Sequence, residues 1–220
     1  DLDGDGDLDA VVGNFQEADR IWLNQGGLQG GIQGVFQATN QHLSHYFDPI
    51  TSWTTAIKLG DLDADGDLDL FVGSYDGGNT VWFNDGTGRF TDSGQEMGME
   101  YTEAIALGDL DGDHDLDAFI GNGNAGQPEA NEIWINDGTG TFTDSGQRLG
   151  VEETYDVSLT DVDGDGDLDA FAANNESSIV WINSGGQQDG SVGLFANSGQ
   201  VVGVHRVADL GDVDQDGDVD

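Results

Sequence analysis

The sequence predicts an all-β fold assembled from repeated units of four short antiparallel strands. Three observations predict it. An acidic nonamer with Asp at every odd position recurs five times, a short apolar run follows each of the first four copies, and a second run centred on Trp follows that. The nonamers start at residues 1, 61, 109, 161 and 212, so the spacings are 60, 48, 52 and 51 residues. At such a period each repeat is one supersecondary unit that buries its apolar face on its neighbours.

The first predicted strand of each repeat is Ala10-Val11-Val12-Gly13, Leu70-Phe71-Val72-Gly73, Ala118-Phe119-Ile120-Gly121 or Ala170-Phe171-Ala172-Ala173. The second is Ile21-Trp22-Leu23-Asn24, Val81-Trp82-Phe83-Asn84, Ile133-Trp134-Ile135-Asn136 or Val180-Trp181-Ile182-Asn183. Asn84-Asp85-Gly86 and Asn136-Asp137-Gly138 then supply hairpin turns, because Asn-Asp-Gly tolerates the left-handed backbone a tight connection needs. Phe36, Phe90, Phe142 and Phe195 mark the third strand. The fourth leads into the next nonamer, as in Ala56-Ile57-Lys58-Leu59-Gly60, Ala104-Ile105-Ala106-Leu107-Gly108 and Val157-Ser158-Leu159-Thr160. Four short strands per ~50 residues is the make-up of a β-propeller blade. The repeats run about 1–60, 61–108, 109–160 and 161–211, with a fifth beginning at 212–220, all within one repeat domain. The periodic Trp and Phe are expected in the core between blades.

The nonamers carry the chemistry. Their carboxylates are Asp1, Asp3, Asp5, Asp7 and Asp9; Asp61, Asp63, Asp65, Asp67 and Asp69; Asp109, Asp111, Asp113, Asp115 and Asp117; Asp161, Asp163, Asp165, Asp167 and Asp169; and Asp212, Asp214, Asp216, Asp218 and Asp220. Carboxylates at positions 1, 3, 5 and 9 of a tight loop can turn onto one hard cation, and position 7 is expected to offer its backbone carbonyl, as in an EF-hand loop. Position 6 is Gly in four copies and His114 in the third. A plain Asp-Gly turn needs only one or two such residues. Five carboxylates in one loop repel each other unless a cation compensates them. The cation expected is Ca2+, one per nonamer and up to five in all, because Mg2+ keeps its waters and seldom takes an all-protein cage.

Composition bounds the partners. The formal charge is −39, from 44 Asp and Glu against five Lys and Arg, and 25 of those acids sit in the nonamers. Such a surface repels nucleic acid and anionic membranes. There is no Cys, so disulfides and thiolate metal sites are excluded. No run of 18 apolar residues is present, so no membrane insertion is expected. Weak calcium loops fill only where calcium is near millimolar, which points to an extracellular or cell-surface location. No leader precedes Asp1, which opens a motif, so a signal peptide would lie outside this sequence.

The combination Leu107-Gly108-Asp109-Leu110-Asp111-Gly112-Asp113, Ala118-Phe119-Ile120-Gly121-Asn122 and Ile133-Trp134-Ile135-Asn136-Asp137-Gly138 resembles the FG-GAP/VCBS repeat family, whose repeats also occur in integrin α-subunit propellers. The similarity covers essentially the whole chain. It implies a calcium-bearing propeller, usually seven-bladed, on secreted or surface proteins of adhesion and recognition, with ligands at Asp61, Asp63, Asp65, Asp67, Asp69 and their counterparts. This chain departs in number, holding about four blades. Three arrangements follow: a segment of a longer array, a four-bladed ring in which two nonamers would contend for one hairpin, or copies joined head to tail in an open fibre.

Four His and five scattered basic residues form no zinc set, nucleophile triad or anion clamp, so no catalysis is expected. The expected function is non-catalytic adhesion, recognition or assembly, with a protein, a glycan or copies of the chain itself as partner. A filament subunit and the accessory propeller of a secreted enzyme are the other readings. The expansion at residues 25–55 supplies a candidate partner surface in His42, His45, Tyr46, Phe47 and Trp53, and a long aromatic loop can equally fold back as a cover over a blade edge. Asn175-Glu176-Ser177 is an N-glycosylation sequon.

Overall fold

A computed structural model describes residues 1–26, 31–32, 34–43, 53–99, 101–124, 126–185, 193–200, 202–208 and 210–211. Fifteen strands form four antiparallel sheets, and the described residues contain no helix. The first sheet orders β1 (Ala10–Val12), β2 (Asp19–Asn24) and β3 (Phe36–Leu43). The second orders β4 (Thr54–Gly60), β5 (Asp69–Ser74), β6 (Thr80–Asn84) and β7 (Phe90–Asp92). The third comprises β8 (Thr102–Gly108), β9 (Asp117–Asn122), β10 (Asn131–Asn136) and β11 (Phe142–Leu149), and the fourth β12 (Thr154–Thr160), β13 (Asp169–Asn174), β14 (Ile179–Asn183) and β15 (Phe195–Asn197).

All strands anticipated from the apolar runs form, and each sheet is a meander of sequential neighbours. The sheets are shifted by one strand from the sequence repeat. The run leading into a nonamer pairs with the run leaving it, with Gly60 opposite Asp69, Gly108 opposite Asp117 and Thr160 opposite Asp169. Each of these nonamers is therefore the hairpin connection between the first two strands of one sheet.

Successive sheets pack face against face. The joint between the first and second sheets buries Ile21, Leu70, Val72 and Phe90, with Trp82 packed against them. Between the second and third lie Phe71, Val81, Ile105, Ile120 and Phe142, with Trp134; between the third and fourth lie Phe119, Ile133, Val157, Trp181 and Phe195. The Trp and Phe of the later sheets thus fill the core between sheets, as expected. Phe36 is the exception, 46% exposed on the first sheet. The sheets approach closely because a glycine ends the central strand of one and receives a β-branched side chain of the next. A Cβ on Gly73 would stand 2.8 Å from Ile105 Cδ1, and one on Gly121 2.9 Å from Thr154 Cγ2.

The first strands of the second, third and fourth sheets neighbour one another, β4 beside β8 and β8 beside β12. Their side chains, among them Lys58, Ala106, Leu107 and Ser158, line an open pocket of about 340 Å³ together with Leu210. Val202, Ala208 and Leu210 cover part of the outer face of the fourth sheet, over Phe171, Ala173 and Val180. No helix among the described residues is long and apolar enough to cross a membrane.

Candidate metal centre

In each described nonamer the local backbone is wound by the chain's own carboxylates. The amide of Asp67 donates to Asp65 Oδ1 at 2.9 Å, that of Asp65 to Asp63 Oδ1 at 3.3 Å, and that of Gly66 to Asp61 Oδ2 at 3.1 Å. The other loops repeat these bonds, for instance Asp7 to Asp5 Oδ1 at 2.9 Å and Gly166 to Asp161 Oδ2 at 3.0 Å. Position 6 is left-handed, with φ 94° at Gly66 and 78° at His114, the conformation its glycine predicts. Position 4 is left-handed as well, including φ 62° at Ala64, which the sequence reading did not anticipate.

The five aspartates of a nonamer do three different jobs. Positions 1, 3 and 9 converge: one oxygen from each of Asp61, Asp63 and Asp69 lies within 4.8 Å of the others, as do Asp109, Asp111 and Asp117, and Asp161, Asp163 and Asp169. In the first loop the converging set is Asp1, Asp3 and Asp5. Position 7 faces the other way. Asp67 lies against Gly86 in the β6–β7 turn and Asp115 against Gly138 in the β10–β11 turn, so its carboxylate stands apart from the converging group.

Position 9 is the buried organiser. Asp69 accepts the Leu62 amide at 2.9 Å and the Asn84 amide at 2.8 Å; Asp117 accepts those of Leu110 and Asn136, both at 2.8 Å. Asp9 and Asp169 repeat the pattern with Leu2 and Asn24, and with Val162 and Asn183. One carboxylate thus ties the start of the loop to the end of the Trp strand. Burial pushes the Asp69 carboxyl up to about 6 and that of Asp117 up to about 7, against the opposing pull of these amide bonds, and raises Asp169 in the same way. Asp63 and Asp111 are raised first by burial and then by the charges of Asp65 and Asp113.

The donor set fits a hard divalent cation. Every ligand available is oxygen, three acids converge in each described loop, and Asp5 Oδ2 and Asp61 Oδ1, on members of two of these sets, are buried oxygens with no hydrogen-bond partner among the described residues. An ion at the converging oxygens would satisfy such groups and neutralise acids held above their normal range. Asp212 to Asp220 fall outside the described residues.

The candidate partner surface is less coherent. His45, Tyr46 and Phe47 lie outside the described residues. His42 is exposed on β3, its Nε2 3.3 Å from Arg20 Nη1. Trp53 sits in a row of rings crossing the first three sheets, 4.5 Å from Phe15 and 5.4 Å from Tyr75, which is 4.8 Å from Tyr101. The Trp53 ring thus links neighbouring sheets. Asn175 is exposed in the turn after β13.

The functional polar residues that sequence reasoning missed are the amides between sheets. The Asn closing each later Trp strand donates to the position-2 carbonyl of the preceding nonamer: Asn84 to Leu2 at 2.9 Å, Asn136 to Leu62 at 2.8 Å and Asn183 to Leu110 at 3.0 Å. Their regular recurrence after Trp-x was the available signal. A family model described as FG-GAP-like repeat matches residues 1–72 and 61–120, more than half of the chain. No curated protein matches it.

Proposed function

We propose, taking as premise that the chain belongs to the FG-GAP-like repeat family, that it is a calcium-stabilised, non-catalytic β-propeller module of the extracellular space, serving adhesion, recognition or assembly. The observation that carries the calcium reading is the convergence of three carboxylates in each of four described nonamers, with a buried, unpartnered oxygen in the first two, on Asp5 and Asp61. The propeller reading is supported by sheets that pack face to face in chain order while their first strands neighbour one another around a common pocket.

The residues that would hold the ion in the second loop are Asp61, Asp63, Asp65 and Asp69, with the main-chain carbonyl of Asp67; their counterparts serve the other loops. Calcium supplies charge compensation there and no covalent chemistry. The chain's own contribution is preorganisation: amide bonds to the carboxylates set the loop, and position 9 couples it to the Trp strand. Through Asn84, Asn136 and Asn183 that coupling extends to the preceding nonamer, so filling the loops would stiffen the stack of sheets as a whole. Recognition would then fall to surfaces held by this rigid scaffold, with a protein or glycan as partner.

Isothermal titration of chelator-stripped protein with calcium tests this reading. Four to five sites are expected, with magnesium binding much more weakly. Asp61→Ala and Asp63→Ala together should remove one site and leave the others. Absence of calcium uptake by folded protein would reject the assignment.

A further inference from the structure

Asp-Gly pairs recur throughout this chain, and an Asp-Gly bond is where a polypeptide most readily rearranges through a cyclic imide, because glycine leaves its amide nitrogen uncrowded. The reaction needs two groups free at once, the Asp carboxyl and the amide of the next residue. The fold ties up one or both at nearly every described pair. Inside the nonamers the glycine amide is held: Gly6 donates to Asp1 Oδ2 at 3.0 Å, Gly66 to Asp61 Oδ2 at 3.1 Å, Gly112 to Asp109 Oδ1 at 2.6 Å, and Gly164 and Gly166 to Asp161 at 2.7 and 3.0 Å. At Asp3-Gly4 it is the carboxylate that is engaged, accepting the Asp5 amide at 3.3 Å within a converging set. In the β6–β7 turn Asp85 Oδ1 accepts the Thr87 hydroxyl and amide at 2.5 and 3.2 Å. Asp137 is held by Thr139 in the same way in the β10–β11 turn, at 2.6 and 3.0 Å.

Asp76-Gly77, in the turn between β5 and β6, is the exception. Asp76 is exposed, and neither its carboxylate nor the Gly77 amide makes a hydrogen bond among the described residues. Gly78 follows, so no side chain crowds the nitrogen from beyond, and Gly77 holds a φ of 114°. The two ends of the turn are fixed, however. Ser74 Oγ accepts the Asp76 amide at 3.3 Å and donates to its carbonyl at 3.2 Å, while Asn79 and Met97 exchange main-chain bonds at 2.7 and 2.9 Å. There is no slack between them, since a Cβ on Gly78 would stand 3.0 Å from the Gly98 carbonyl oxygen. Tyr75, beside the pair, sits between Trp53 and Tyr101 in the row of rings.

We propose that Asp76-Gly77 is a modification site, the place where the folded chain undergoes aspartate isomerisation. The Gly77 nitrogen gives up its proton and bonds to Asp76 Cγ, the carboxyl group leaves its hydroxyl as water, and a cyclic imide results. Water then adds back at either imide carbonyl. Opening on the Cγ side restores aspartate. Opening on the Cα side routes the main chain through Cβ and Cγ and leaves the α-carboxylate free. The water lost is regained, so mass and charge are unchanged and no other reactant is needed. The isoaspartyl product carries an extra methylene in the main chain of a turn whose ends are tied and whose middle has no room. The turn must shift, and Tyr75 shifts with it, opening the ring row at the end of β5 opposite the nonamer. The protecting contacts elsewhere are hydrogen bonds within the chain, so the selection of Asp76 does not depend on the calcium assignment.

Peptide mapping of the whole folded chain, aged warm in calcium and heavy-oxygen water, tests the site. Isoaspartate bearing the heavy oxygen should accumulate first at Asp76. Each held pair must first break a hydrogen bond at a carboxylate, which slows it roughly tenfold or more. Asp85-Gly86, also exposed but held by Thr87, is the internal control. In denaturant the pairs should react at similar rates. Asp76→Glu keeps the charge but would have to close a larger, slower-forming ring. Fresh, it should melt with the wild type; aged, it should carry no isoaspartate in this turn and melt as before, whereas aged wild type melts lower. Asp76→Asn should reach the same imide faster, with loss of ammonia. Isoaspartate forming in the folded protein first at Asp85 or in a nonamer, its absence from Asp76, or aged wild type modified at Asp76 yet melting with fresh protein would overturn the proposal.

Discussion

Gln95 offers a clean test of how the sheets are coupled. Its side chain leaves the second sheet and makes two hydrogen bonds to the main chain of the third, at 2.7 and 2.9 Å, both partly buried and both neutral. No ion takes part, so the effect should be the same with calcium or chelator. Each such bond contributes about 0.5–1.5 kcal/mol net, so Gln95→Ala should lose about 2 kcal/mol. For a chain of this length that corresponds to a fall of about 4–8 °C in melting temperature. Gln95→Glu should lose more at neutral pH, because the acceptor for Phe142 survives while a carboxylate confronts the Gly140 carbonyl; protonating it near pH 4 restores a donor and narrows the gap. Gln200→Ala, at the exposed glutamine that follows Ser198-Gly199 as Gln95 follows Ser93-Gly94, is the matched control and should stay within about 0.5 kcal/mol of wild type. Calorimetry on the three variants decides it. If Gln95→Ala melts with the wild type, the two bonds carry no stability and the account of the joints is wrong.

Ala64→Gly should raise stability by about 1 kcal/mol, since Ala64 holds a left-handed φ of 62° that Gly adopts without strain; calorimetry in calcium reads the gain. Trp53→Ala should cost about 2 kcal/mol of thermal stability by opening the ring row between Phe15 and Tyr75; an unchanged melting temperature would return Trp53 to the partner surface. In chelator, stability should rise as pH falls from about 7 towards 5. Asp69 and Asp117 have folded values of about 6 and 7, above the unfolded 3.8, so the folded state binds more protons in that window and loses this contribution as pH rises. With calcium bound the trend should reverse, because protons compete with the ion, and melting curves across pH in both conditions show the sign.

Much of the architecture was legible because it is written in periodic chemistry. Apolar runs of strand length, each bounded by Asn, Gly or the nonamers, located all four strands of a unit, and Gly at position 6 located the left-handed turn. The register of the unit was less legible. A strand such as Thr54–Gly60 reads equally well as the end of one repeat or the start of a sheet, and only its pairing with Asp69–Ser74 settles which. Within the nonamer, five identical letters hide three roles. Asp63 faces its converging partners, Asp67 the neighbouring turn and Asp69 two main-chain amides. Those directions are set by left-handed residues at positions 4 and 6 and by burial against the next sheet, neither of which a side-chain pattern states. Gln95 was hidden for a similar reason: in Asp92-Ser93-Gly94-Gln95 it reads as part of a polar turn, and its partners lie more than 40 residues away.

The central claim is that calcium in the nonamers holds the sheets together, and the melting temperature with and without the ion tests it most directly. With site dissociation constants near ~10 μM and ~1 mM free calcium, linkage gives ~2.7 kcal/mol per site. Four filled sites would then supply on the order of 10 kcal/mol, comparable to the net stability of a typical domain. Calorimetry at matched ionic strength should show chelation lowering the transition by roughly 20 °C or more, or abolishing it, with full recovery on adding calcium back. Asp65→Ala should reduce that calcium-dependent gain, whereas Asp92→Ala, outside the nonamers, should leave it intact. Equal melting temperatures in calcium and chelator would contradict the account.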